Sequence, residues 1–355
     1  MEFNGHPYRA QLEVCFKKSG ATVINILPLE DYVRGVVGRE MGANSPEESL
    51  KAQAVIARTY AYANNSRHGK EGFAVCATTH CQVYGGVIAE RPSINEAVDE
   101  TKGVIMVSDG KPISTLYHAT CGGWTSDNDK VFGGAPRSYL RRVRCPFCSH
   151  GHQFRWSRKI DVAQLQKKLG KEGVKFTKLF QAREVADSPM DRVKKVVFVT
   201  DEGVIAIKGT TLRRIFSLPS STFVVKKDFS HTPLQSATNI PPWKLYQYPP
   251  NTNSLPNELV IQSANGVHRV IQAKQGWVIL ASPLNPEKPC STEVGSTKMV
   301  ALNSIDIFGR GYGHQVGLCQ AGAVALGKLE WSYRQILPYY YSNVLLRRLD
   351  TNVPH

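Results

Sequence analysis

At 355 residues and 42% apolar content, the chain is long enough for one large domain or two ordinary ones around a sizeable core. Lys+Arg 44 against Asp+Glu 29 gives a net charge of +15, which favours an acidic partner: nucleic acid, anionic lipid or an anionic wall polymer. No basic run interleaved with aromatics and no nucleic-acid motif is present, so nucleic acid drops out, and no apolar run approaches the roughly 20 residues that cross a bilayer.

The start, Met1-Glu2-Phe3-Asn4-Gly5-His6-Pro7, has neither a basic n-region nor an apolar h-region and reads, taken literally, as cytosolic. Residues 9–27 read as one or two strands, closing on Thr22-Val23-Ile24-Asn25-Ile26-Leu27 before Pro28. A helix follows over 29–41. Its apolar positions 29, 33, 36 and 37 recur at helical spacing, and the stripe continues to Glu40. Glu30, Asp31, Arg34 and Arg39 fall on other faces, as solvated helix charges. A carboxyl on an apolar stripe loses hydration of its charged form and can serve as a general acid; from periodicity alone an ion pair with a buried arginine is the first expectation.

A second helix is signalled by Ser45 as N-cap, Pro46 at the first helical position and Glu48 completing a capping box. Leu50, Ala54, Ala57 and Ala61 form a narrow small-residue stripe, so the two helices should pack closely with Glu40 on their shared side. Beyond residue 82 come short β-rich segments with Gly turns at 104–107 and 111–118. A lysine-rich helix is predicted over about 161–185, then a hairpin from Val196 to Lys208 turning at Asp201-Glu202-Gly203. Residues 232–258 read as a loop or linker, 258–281 as two strands, and 308–345 as a Gly-rich turn followed by helix. There is no internal repeat.

The cysteines are clustered. Cys76 and Cys81, with His80 between them and His68 upstream, supply two thiols and two imidazoles, a set suited to a closed tetrahedral Zn2+ site. Because His80 and Cys81 are adjacent, both can bind only if the backbone bends there; otherwise His118 or Cys121 would replace one of them. The competing reading is a disulfide, Cys76 to Cys81 or either to Cys121. Cys145-Pro146-Phe147-Cys148, with His150 and His152 nearby, also has metal-ligand spacing, with a Cys121–Cys148 disulfide as the alternative.

Three separated blocks resemble the stage II sporulation protein D (SpoIID/LytB) family. They are Leu27 to Met41 continuing through Glu48 to Tyr60; Cys76-Ala77-Thr78-Thr79-His80-Cys81-Gln82-Val83-Tyr84-Gly85-Gly86 with Tyr117-His118-Ala119-Thr120-Cys121-Gly122-Gly123; and Gly309 to Ala323, closed by Tyr333-Arg334-Gln335-Ile336-Leu337 and the tyrosine run. The resemblance implies an α+β fold: a mixed catalytic core over 8–230 and 303–350, with two N-terminal helices packed on β-rich segments, and an inserted β-rich or loop segment over 231–302. It implies a peptidoglycan lytic transglycosylase with Glu40 as catalytic acid and then base, which displaces the ion-pair reading. Glycosidases ordinarily use two carboxylates; here the C6 hydroxyl of the substrate attacks its own anomeric carbon, so one suffices.

Substrate contacts would come from His314 and Gln320 on sugar hydroxyls or acetamido groups, from Tyr84, Tyr117 or Tyr312 stacking on a sugar face, from Lys51 or Arg58 on the lactyl carboxylate, and from Gln82 and His118 beside them. Each has a plain structural alternative. Some relatives carry zinc at the Cys76 block, so one structural Zn2+ is expected, with none needed for the chemistry. The expected partners are peptidoglycan glycan strands and, in a second role the resemblance carries, a cell-wall N-acetylmuramoyl-L-alanine amidase stimulated without catalysis. The expected place is the cell envelope, with any export segment or membrane anchor absent from this chain. Gln315 departs from the glycine usual in the family, and 232–302 from its usual length.

Overall fold

The computed structural model describes residues 1–17, 20–187, 191–227, 258–263, 266–273, 276–280 and 300–349. Strands β1 (Glu2–Phe3) and β2 (His6–Pro7) pair ahead of an antiparallel hairpin of β3 (Gln11–Lys17) and β4 (Gly20–Ile26). Pro28 then leads into α1 (Leu29–Glu40), whose first turn carries Glu30 and Asp31 at the positive end of the helix dipole. Val33, Val36 and Val37 are fully buried, as the periodicity requires. Glu40 is only half-buried, because the helix ends there and Met41 leaves in an extended conformation. The apolar stripe therefore delivers Glu40 to the rim of the core.

Helix α2 (Glu47–Ala63) does not form the expected capping box. Pro46, not Ser45, is its N-cap, and Glu48 instead holds Lys51 (3.0 Å) and accepts the Tyr333 N–H (2.6 Å). Nor is its apolar surface a narrow stripe. Every residue from Ser49 to Ala61 is buried. Leu50, Ala54 and Ala57 meet Val33, Val36 and Val37 of α1, while Ala52, Val55 and Ile56 join a second cluster with Met106, Leu318 and Tyr340. A helix enclosed on all sides must be small-residued, which explains the alanines.

On another face α1 meets the single 3-10 turn Gly86–Ala89, and a Cβ built on Gly38 would stand 1.9 Å from the Ala89 carbonyl oxygen. Gly38→Ala must push helix and turn apart. We expect it to cost about 1–3 kcal/mol, read as a lowered Tm; an unchanged Tm would mean that the turn yields freely.

Helix α3 (Pro92–Glu100) also packs on α2, and β5 (Val104–Ser108) and β6 (Lys111–Pro112) form an antiparallel pair beside it. Then come β7 (Tyr117–His118), the short helix α4 (Asn128–Phe132) and a 3-10 turn over Pro146–His150. A second core gathers around β8 (Arg155–Asp161), α5 (Val162–Gly170), β9 (Leu179–Val185), β10 (Lys195–Thr200), β11 (Gly203–Lys208), α6 (Gly209–Phe216) and β12 (Phe223–Lys227). The helix expected over 161–185 is thus only its first half. Gly173, at φ +84, breaks it, and Leu179 and Ala182 are buried in a strand paired with β10. The hairpin expected from Val196 forms as β10 and β11, turning at Asp201 and Glu202.

The chain divides into Met1–Asp228 with Ala301–His355, and Phe229–Val300. In the latter, β13 (Glu258–Ser263), β14 (Gly266–Ala273) and β15 (Gly276–Leu280) form a three-stranded antiparallel sheet where two strands were expected. The loop expected over 232–258 lies outside the described residues up to 257. Returning to the larger unit, β16 (Ser304–Arg310) inserts between β12 and β8. Strand β17 (Leu318–Cys319) pairs parallel with β7, α7 (Gln320–Lys328) and α8 (Tyr333–Tyr340) pack on α2, and β18 (Leu345–Arg348) adds to β5. Helices and strands are mixed in the α+β manner. The β7–β17 pairing is the one that matters for the site, because it brings the 117–123 and 311–320 segments side by side.

Candidate active site and metal-ligand clusters

Glu40 lies where four pieces of chain meet. One carboxylate oxygen accepts the Val83 N–H at 3.1 Å. The Tyr117 hydroxyl stands beside the same carboxyl; burial and that carboxylate push it well above the ordinary tyrosine range. Since Gln82 Nε2 donates to the Tyr117 oxygen (3.3 Å), the tyrosine proton is free to point at Glu40. Tyr32, on α1, donates to Gln82 Oε1 at 3.2 Å and fixes its orientation. From the other side Gln320 Nε2 reaches the Glu40 carbonyl (3.2 Å) and Gln53 Oε1 (3.4 Å). Gln320, at the start of α7, therefore touches the backbone of Glu40. Tyr32, Gln53 and the Val83 N–H escape a sequence reading: a backbone donor leaves no mark, and the other two sit among ordinary helix residues.

Other expected contacts fall elsewhere. Arg58 is fully buried and forks onto Glu30 (2.9 and 2.7 Å), with further bonds to the Val104 (3.0 Å) and Val98 (3.3 Å) carbonyls, so its guanidinium is not open to a ligand. Glu30 is correspondingly no solvated helix charge. Lys51, also buried, is held by Glu47, Glu48 and Glu100. Tyr84 stacks on Tyr32 at 5.3 Å and gives its hydroxyl to Asn25 (2.7 Å), a packing role. Tyr312 is exposed, with 45% of its surface open, and its backbone pairs with Thr120.

His118 and His314 meet edge to face, ring centres 5.6 Å apart. His118 Nδ1 lies 3.2 Å from the Val316 carbonyl, and its buried Nε2 has no partner. His314 Nδ1 accepts the Val316 N–H (3.1 Å), which it can do only unprotonated. Burial, aided by His314, pushes His118 down to about 3; burial, aided by Arg192, pushes His314 down to about 4. Both are depressed below the unfolded value of about 6.5. The unfolded chain therefore takes up protons first, and stability present above pH 6.5 is lost as pH falls toward 4, by roughly 1 kcal/mol per histidine per pH unit. Urea unfolding at stepped pH should show this slope, shallower in His314→Gln; identical slopes would contradict it.

Gln315, at the departure from glycine, has φ 65, the left-handed region that favours glycine. Its side chain offsets the strain: Nε2 donates to the Cys121 carbonyl (2.8 Å), and Oε1 accepts from Thr222 (2.8 Å). These bonds hold the left-handed turn in this chain. A cleft of about 340 Å3 adjoins Gln315 and Arg310, with Arg142, Arg192, Lys194 and Lys208 on its walls. Glu40 is not on it.

The ligand atoms of His68, Cys76, His80 and Cys81 all lie within 4.8 Å of one another. Cys81 Sγ is 3.4 Å from His68 Nε2, and His80 Nδ1 stands 3.6 Å from both sulfurs. The bend that adjacent ligands need is supplied by a turn, Cys81 N–H donating to the Thr78 carbonyl at 3.1 Å, so neither His118 nor Cys121 is needed. Glu71 holds His68 Nδ1 at 2.8 Å, an outer-shell contact usual for a metal-binding imidazole. Burial raises the Cys76 thiol, but bonds from Thr78 and His80 outweigh it and bring it down to about 6. The donor set fits zinc. Cys76, Cys81, Cys121 and Cys148 carry no disulfide, and Cys121 lies with Cys148, their sulfurs 3.4 Å apart, in a separate cluster.

Residues 17–107, which carry Glu40, α2 and the first ligand set, match the family model SpoIID, stage II sporulation protein. These residues carry a SpoIID domain. Residues 147–240 match a domain of unknown function, DUF8618. Among SpoIID relatives, the stage II sporulation protein D of Bacillus amyloliquefaciens is 33% identical over 170 residues, 44% of this chain and 49% of that protein. An uncharacterized protein of Brachyspira hyodysenteriae is 29% identical over 343 residues, 96% of this chain and 72% of that one. The amidase enhancer of Bacillus subtilis is 26% identical over 322 residues, 88% of this chain and 40% of that protein. The chain thus matches about half the length of the sporulation protein relative, and less of the enhancer. Among the described residues no helix is long and apolar enough to cross a membrane.

Proposed function

We propose that the chain is a peptidoglycan lytic transglycosylase of the cell envelope. It would cleave the β-1,4 bond between N-acetylmuramic acid and N-acetylglucosamine in peptide-free glycan strands, leaving 1,6-anhydro ends. Glu40 carries this reading: a half-exposed carboxyl that accepts a backbone N–H and stands beside the Tyr117 hydroxyl, with Gln320 on its own backbone carbonyl. The neighbouring acids are engaged elsewhere, Glu30 on Arg58, Glu47 and Glu48 on Lys51, and Asp31 near Arg34 at 3.5 Å. A single available carboxyl suits a reaction that needs one. Glu40 gives its proton to the glycosidic oxygen as the bond to the anomeric carbon breaks; the C6 hydroxyl closes on that carbon, and its proton returns to Glu40. No water enters.

Gln320 and Tyr117, beside Glu40, are the groups best placed to orient the sugars. A zinc ion on the His68 set would supply no step; it would pin the 78–81 turn just ahead of Gln82 and Val83, which hold the carboxyl's surroundings. A second reading, a wall-binding protein that stimulates a cell-wall amidase, draws on the longer alignment to the amidase enhancer and on the basic cleft. Incubating the protein with intact and peptide-free glycan, alone and with an amidase, separates the two. Chain cleavage by the protein alone on peptide-free glycan is expected; no chain cleavage, with faster peptide release from intact glycan than the amidase gives alone, would favour the second reading.

A further inference from the structure

Four cysteines from three distant parts of the chain converge in the core, apart from the first ligand set. Cys121 follows β7, Cys145 and Cys148 flank the start of the Pro146–His150 turn, and Cys319 ends β17. All four are buried, at most 1% exposed, and their sulfurs lie within 4.8 Å of one another. We propose that Cys121, Cys145, Cys148 and Cys319 form a second, purely structural Zn2+ site, closed and four-thiolate. It is independent of what Glu40 does.

The dimensions decide between a single ion and a cluster. With zinc–sulfur bonds of about 2.3 Å, the edge of a tetrahedron of sulfurs is about 3.8 Å. The observed cluster fits one ion at its centre, and leaves no room for the several irons of an iron–sulfur cluster. The chemistry of the surroundings points the same way. Cys319 Sγ accepts two backbone N–H bonds, from Cys121 (3.3 Å) and Gly322 (3.4 Å), and caps the N-terminus of α7. A neutral thiol is a poor acceptor, whereas a metal-bound thiolate is a good one, and the helix end favours its charge. The Tyr340 hydroxyl lies 3.1 Å from Cys145 Sγ and can donate to it. Space for this is made by Gly322, where a Cβ would stand 2.7 Å from Cys145 Sγ and 2.0 Å from the Tyr340 oxygen.

A disulfide accounts for less. Closing Cys121 to Cys148 would draw the sulfurs from 3.4 Å to about 2.05 Å and leave Cys145 and Cys319 as two bare thiols in the same enclosed space. One Zn2+ takes all four, releasing four protons. It would tie the 117–150 region to the 311–320 wall, adding to the short β7–β17 pairing.

Zinc per chain, measured by elemental analysis on full chain purified with zinc under reducing conditions, tests this. The Cys145→Ser/Cys148→Ser double variant should hold one equivalent fewer than wild type. Unchanged zinc would overturn the proposal, as would disulfides among these four cysteines in peptide maps of the alkylated wild type. Should the double variant not fold, the His68→Ala/Cys81→Ala chain, loaded with Co2+, gives the answer. A four-thiolate tetrahedral absorption spectrum is expected, and failure to bind Co2+, or a nitrogen-containing ligand spectrum, refutes the site.

Discussion

Arg58→Ala is expected to destabilise the larger unit by about 3–5 kcal/mol, the usual cost of removing one partner of a buried ion pair. The arginine is fully buried at the middle of the enclosed helix α2, and its loss strands more than one group. Glu30 loses both bonds of the fork and keeps only the Gly103 N–H at 3.1 Å, while the Val98 and Val104 carbonyls lose their guanidinium donors. Each is a desolvated group without compensation. Arg58→Lys keeps the charge but cannot fork, so it should recover only part of the loss. Chemical denaturation reads both, and an alanine variant within about 1 kcal/mol of wild type would show that the pair is not what joins α1, α2 and α3.

Glu40→Gln is expected to lower the cleavage rate by roughly 10²–10⁴-fold, the range for losing a positioned general acid, with glycan binding and Tm nearly unchanged. Glutamine keeps the shape and still accepts the Val83 N–H through its amide oxygen, but has no proton to give at the glycosidic oxygen. Tyr117→Phe should cost less, because it removes a polar neighbour of the carboxyl and not the carboxyl itself. Product chromatography with a binding assay checks both; a Glu40→Gln enzyme that cleaves at wild-type rate removes Glu40 from the chemistry.

Much of this arrangement was legible in the chain. Helix α1 shows its buried valines through periodicity, and Glu40 stands out because it continues that series. What the series could not show was that the helix stops there, leaving the acid at the rim of the core. A buried arginine–glutamate pair was also foreseeable, but it falls on Glu30. The face assigned to solvent is covered by the 98–104 segment, a contact made by residues far along the chain. In α2 the sequence shows alanines on one stripe. The near absence of charge from Ser49 to Ala61, broken only by Lys51 and Arg58, was the available sign of a helix enclosed on all sides.

The two cysteine clusters differ for the same reason. His68, Cys76, His80 and Cys81 are neighbours in sequence, so local spacing is enough to assemble them. Cys319 lies far from Cys121 along the chain, and only the β7–β17 pairing brings it close. Of that second group the Cys145 and Cys148 spacing and a Cys121–Cys148 pairing were read beforehand, and the convergence of all four was not. The lysine-rich stretch after 161 misled because charge suits an exposed helix and an exposed strand face equally, until glycine breaks the helix and β10 claims the rest.

The claim that one carboxyl suffices is tested most directly by the mass of the new chain ends that wild-type protein leaves on peptide-free glycan. Intramolecular attack by the C6 hydroxyl predicts muramic ends lighter by one water than hydrolysed ones, with no solvent ¹⁸O incorporated. Reducing ends carrying solvent oxygen would contradict it, since they require an activated water and a second catalytic group that Glu40 alone does not provide.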